Sequence, residues 1–66
     1  PASDNITIEA GQGNKIIISD IAGKVVYSGI AETALVNIDI SSLPQGMYFV
    51  TLYSNTVNKT TKLIKN

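Results

Sequence analysis

The sequence predicts an all-β fold, a small antiparallel sandwich of short strands. Three observations carry this. Val, Ile and Thr recur along the whole chain, interrupted every several residues by Gly, Asn, Asp or Ser. No window shows an apolar stripe at helical spacing with capping residues. The run Leu43-Pro44-Gln45-Gly46-Met47-Tyr48-Phe49-Val50 joins a turn to the most apolar strand in the chain.

About six strand signals can be read. Asn5 to Ala10 alternates Ile6 and Ile8 against Thr7 and Glu9, as a half-buried strand does. Gly11-Gln12-Gly13-Asn14 is a turn, and Lys15 to Ser19 carries three consecutive Ile. Asp20-Ile21-Ala22-Gly23 fits a type I turn, with Gly23 supplying the positive φ of a bulged hairpin. Lys24 to Ser28 returns as the partner strand, with Val25 and Tyr27 expected on one face and Val26 on the other. Gly29 to Ala34 reads as an irregular connection. Leu35 to Ile40 turns Val36, Ile38 and Ile40 inward. Met47 to Ser54 places Tyr48, Val50 and Leu52 on one face and Met47, Phe49 and Tyr53 on the other. Asn55 to Asn58 is a turn, and Lys59 to Lys65 is the last strand.

Within the Leu43–Val50 run, Pro44 presets φ for the second position of a turn, and Gly46 tolerates a positive φ. Tyr48 has an apolar body to bury and a hydroxyl that needs a partner. A Leu and a Gly ahead of a strand-opening Tyr also occur at the corner tyrosine of immunoglobulin-like sandwiches.

The 66 residues make one domain, and a core of that size is marginal. There is no Cys and no His, so neither a disulfide nor a zinc site supports it, and stability has to come from apolar burial within sheets. With 44% hydrophobic and 15% charged residues, the composition argues against disorder. Net charge is zero, which leaves no electrostatic footprint for nucleic acid and no polybasic patch for an anionic membrane. The apolar runs fall far short of a membrane span, and no signal peptide opens the chain.

No catalytic constellation is visible. General acid–base chemistry at neutral pH calls for His or paired carboxylates. The acids Asp4, Glu9, Asp20, Glu32 and Asp39 are scattered over turns and outward positions, as solvated charges are. The Ser and Thr residues lack an adjacent base. Nothing matches a calcium loop, and the Gly11-x-Gly13 pair lacks the third glycine of a dinucleotide loop. No cofactor and no metal are expected. Asn5-Ile6-Thr7 and Asn58-Lys59-Thr60 are formal glycosylation triplets of the kind that arise by chance.

Four stretches, in order, resemble the C-terminal sorting domain of proteins exported by the type IX (Por) secretion system. They are Pro1-Ala2-Ser3-Asp4-Asn5-Ile6-Thr7-Ile8, Ile18-Ser19-Asp20-Ile21-Ala22-Gly23-Lys24-Val25-Val26, the segment from Ile38 through Ser41-Ser42-Leu43-Pro44-Gln45-Gly46-Met47-Tyr48 to Val50, and Thr61-Lys62-Leu63-Ile64-Lys65. Only Pro1 of the family's opening motif is present, as in a piece trimmed or cleaved from a longer secreted protein. The resemblance implies an immunoglobulin-like β-sandwich of about six to seven strands, in keeping with that architecture. It also implies a non-catalytic signal, preceded by a cargo domain and recognised by the outer-membrane translocation machinery. Export through periplasm and outer membrane would end at the cell surface or in the medium, with the domain removed by a sortase-like peptidase and no membrane insertion of its own.

Asp20, Gly23, Lys24, Leu43, Pro44, Gly46, Tyr48 and Lys62 are the candidate recognition residues. Gly23 and Gly46 serve backbone geometry more than contact. Lys62 and Lys65 are three apart, so they face opposite ways in a strand, and Lys62 is the one favoured for function. The competing reading is that both lysines only keep an edge strand from aggregating. A generic immunoglobulin- or fibronectin-like module is the alternative for the whole chain; it would work in mid-chain, whereas a terminal signal would not.

Overall fold

The computed structural model describes residues 5–55 and 58–66. Six strands follow one another: β1 (Asn5–Glu9), β2 (Lys15–Asp20), β3 (Val25–Ile30), β4 (Leu35–Asp39), β5 (Gly46–Tyr53) and β6 (Asn58–Lys65). Among the described residues there is no helix. All pairings are antiparallel, in two sheets: β1 with β4, and the order β3-β2-β5-β6. The all-β sandwich expected from the sequence is what forms.

Period-2 patterning explains the core. Ile16 and Ile18 of β2, Ile38 of β4, and Tyr48 and Val50 of β5 are buried, together with Ile40 just beyond β4. Ile6, Ile8 and Val36 pack against them from the smaller sheet. Each fully buried aliphatic side chain contributes about 1.5–3 kcal/mol relative to exposure, so Ile16, Ile18 and Ile40 are principal anchors. Asn37 and Asp39 face out, as their alternation with Val36, Ile38 and Ile40 requires.

The expected face assignment of β3 is not what forms. Val25 is exposed, and Val26 and Tyr27 both pack against the core. The register explains this. Ile18 pairs with Tyr27 but Ser19 pairs with Val25, so Val26 is the extra residue of a bulge. A bulge breaks the strict alternation on which the expectation rested. The expected irregular connection also begins two residues late, because Gly29 and Ile30 remain in β3 opposite Ile16 and Lys15. The Tyr27 ring covers Gly29; a Cβ there would lie 2.8 Å from the tyrosine hydroxyl.

The connections β1–β2 and β3–β4 are tied together. Ala10 N–H donates to the Ala34 carbonyl at 2.9 Å, Gly13 N–H to Ala31 at 2.8 Å, and Ala31 N–H to Asn14 at 2.8 Å. The turn Gly11–Asn14 forms as expected, closed by the Asn14 N–H on the Gly11 carbonyl. The expected turn Asn55–Asn58 falls partly outside the described residues.

Candidate functional site: the corner end of the sandwich

The β2–β3 hairpin is built by one carboxylate and one glycine. Asp20 Oδ1 accepts the N–H groups of Ala22 and Lys24, both at 2.9 Å. The Gly23 N–H donates to the Asp20 carbonyl, and the Asp20 N–H to the Lys24 carbonyl. This is a type I turn followed by a bulge residue, and Gly23 takes φ 89° there. Asp20 and Gly23 thus do local backbone work, and Lys24 is left exposed beside them.

The corner forms around Tyr48. Its ring is buried, and its hydroxyl donates to the Pro44 carbonyl at 2.6 Å. The partner demanded by a buried phenol is therefore the backbone four residues upstream. Gly46 opens β5 with φ 151°, a region that glycine populates and L side chains rarely adopt. The hydrogen-bonded turn differs from the expected one. It spans Ile40–Leu43, closed by the Leu43 N–H on the Ile40 carbonyl, so Ser41 and Ser42 are its central residues. Asp39 steadies it: Oδ1 accepts the Ser41 N–H at 2.9 Å. Hydrogen bonds from the Ser41 side chain and backbone hold the Asp39 carboxyl below its ordinary value, and the Lys65 charge adds to this.

Register gathers these pieces at one end. Asp20 lies opposite Tyr48, Tyr48 opposite Leu63, and Gly46 opposite Lys65. The hairpin residues Asp20, Gly23 and Lys24 and the corner residues Leu43, Pro44, Gly46 and Tyr48 therefore sit at the same end of the four-stranded sheet. Lys62 lies apart from them, exposed on the outer face opposite Phe49.

Lys65 is the residue that sequence reasoning undervalued. It is only 8% exposed, and its ammonium donates to the carbonyls of Ile40 at 2.7 Å, Ser41 at 3.1 Å and Leu43. Lysine has three N–H donors, and all three are used. For Lys65 the competing reading, an edge guard, gives way to an internal clamp from the last strand to the corner. The signal was present: Leu63 faces the core, so period 2 turns Lys65 inward as well. Among the described residues, no three His, Cys, Asp or Glu side chains gather in a metal-binding group. Asp4 and the rest of the opening motif Pro1–Asp4 lie outside the described residues.

The hairpin, the corner and the lysine-bearing last strand belong to one body, as the resemblance required. Comparison with known families agrees: the secretion system C-terminal sorting domain matches residues 1–66. The chain belongs to this family. No curated protein and no solved structure matches it. As a member, this sorting domain is a C-terminal signal of type IX secretion, and membership implies export across the outer membrane to the cell surface or the medium.

Proposed function

We propose that this sorting domain is a non-catalytic export signal read as a folded surface. The observation that carries this reading is the family match across the entire chain. The upstream polypeptide is the cargo. The outer-membrane machinery of type IX secretion receives the domain, and a sortase-like peptidase then removes it, leaving cargo on the surface or free. Asp20, Gly23, Pro44, Gly46 and Tyr48 hold the shape of the corner end through backbone geometry and buried contacts. Leu43 packs against the core there. Exposed Lys24 and Lys62 are the side chains offered for contact, since neither is used internally in the way that Lys65 is. The scatter of the acidic residues gives a hydrolytic role no support.

The test is fusion of residues 1–66 to the end of a reporter in a host with the export system. The reporter should leave the cell. Retention under conditions where a known cargo is exported overturns the proposal. Lys24→Glu with Lys62→Glu should keep the melting temperature and reduce export.

A further inference from the structure

The two sheets differ in width, and the difference leaves a strand-sized gap. Among the described residues the larger sheet has four strands and the smaller two. On β6 the residues in phase with the core are Lys59, Thr61, Leu63 and Lys65. Leu63 is half-buried and Lys65 buried, but Lys59 and Thr61 are exposed. The inner face of β6 is thus covered near the corner and bare in its other half.

A cleft of about 230 Å³ occupies that half. Its floor is Val50 and Leu52 of β5 with Lys59 and Thr61 of β6, and its wall is the consecutive stretch Thr7–Glu9 of β1. An apolar cavity of about 150 Å³ already accommodates benzene, so this space admits side chains and not only solvent. Among the described residues, β1 has β4 on one side and no strand on the other. An open strand edge presents backbone N–H and C=O groups that a further extended chain can match, with alternate side chains entering pockets.

The four sheet edges are not equivalent. β3 carries a bulge and β6 carries Lys59 and Lys62, two devices that discourage pairing. β1 and β4 have neither Lys nor Pro and keep unbroken register with each other over five residues, and of these two it is β1 that walls the cleft. Strands in a sheet are about 4.8 Å apart, so a single added strand would lie over the bare floor. A second copy of this domain does not fit. It would bring its own overhanging β6 into the space that the first copy's β6 already fills.

We infer that the open side of β1 docks one extended segment of the export apparatus, added as a third strand to the smaller sheet with β-branched residues facing Val50, Leu52 and Thr61. The origin of the segment rests on the sorting reading; the site itself does not.

The test uses Thr61→Trp, which fills the cleft from an exposed position and leaves the pairing of β5 with β6 intact. The probe is a peptide of sequence Lys-Val-Thr-Val-Thr-Val-Lys, followed by NMR on the isotope-labelled chain. Amide shifts and slowed hydrogen exchange should appear in β1, with shifts at Val50, Leu52 and Thr61 and none at Thr60 or Lys62 on the outer face. Thr61→Trp should abolish them at unchanged melting temperature. No shifts at millimolar peptide, shifts centred on the outer face, or a cleft-dependent dimer of the free chain each overturn the site. In the reporter fusion, Thr61→Trp should lower export about tenfold or more. Export equal to wild type sinks the docking inference while leaving the sorting reading intact, and failure of the wild-type fusion sinks the sorting reading alone.

Discussion

Tyr48 donates its hydroxyl to the Pro44 carbonyl from a buried ring, so removing one oxygen tests one bond. Tyr48→Phe should cost about 0.5–1.5 kcal/mol in denaturant unfolding, with the fold retained. An unchanged midpoint would mean that the corner bond contributes nothing. Asp39 offers a test by pH. Its folded value lies below the ordinary 3.8, chiefly because Ser41 donates to it from side chain and backbone. A depressed carboxyl contributes stability that is fully present above the unfolded value and is lost as pH falls through the folded one. The melting-temperature gap between wild type and Asp39→Asn should therefore be constant near neutrality and narrow on acidification below about 3.8. A gap independent of pH would contradict the role assigned to this turn.

At the scale of elements, the β2–β3 hairpin separates conformational strain from steric conflict. Gly23 takes φ 89°, yet a Cβ there meets nothing within 4 Å. Gly23→Ala should thus cost about 1 kcal/mol or more through backbone conformation alone. Equilibrium unfolding measures this, and a neutral outcome would mean that the turn relaxes to another type. The hairpin was legible in the sequence because Asp20 and Gly23 act over four residues. The bulge at Val26 was not. It depends on how β3 is held against β2 across the sheet, and Val25, Val26 and Tyr27 are individually suited to either face. The corner lies between these cases: Tyr48 and its need for a partner were legible, but the hydrogen-bonded turn lies three residues earlier than the proline suggested.

At the scale of the whole molecule, Lys65 connects the larger sheet to the crossing between sheets. Its ammonium holds three carbonyls of residues 40–43, which lead from β4 of one sheet to β5 of the other. Lys65→Met keeps much of the side-chain bulk and leaves those carbonyls without their donor, so it should cost about 1–3 kcal/mol. Lys62→Met, on the exposed outer face, should stay within about 0.5 kcal/mol of wild type. Parallel thermal melts of the two variants decide this; equal effects would show that the clamp is not a source of stability. In a chain with no disulfide to close its ends, one such clamp is a large share of the available stability.

Some of this protein followed from the sequence alone. Period-2 alternation and turn chemistry act over a few residues, so the all-β class, the inward faces of β1, β4 and β5, the Asp20–Gly23 hairpin and the buried Tyr48 could be read directly. The ordered motifs carried the family. Tertiary structure decided what depends on distant partners: the bulge in β3, the turn of Lys65 into the corner, the gathering of hairpin and corner at one end, and the bare half of β6 beside β1. Such features arise from how two sheets of unequal width meet, and no local pattern encodes the width of the opposite sheet.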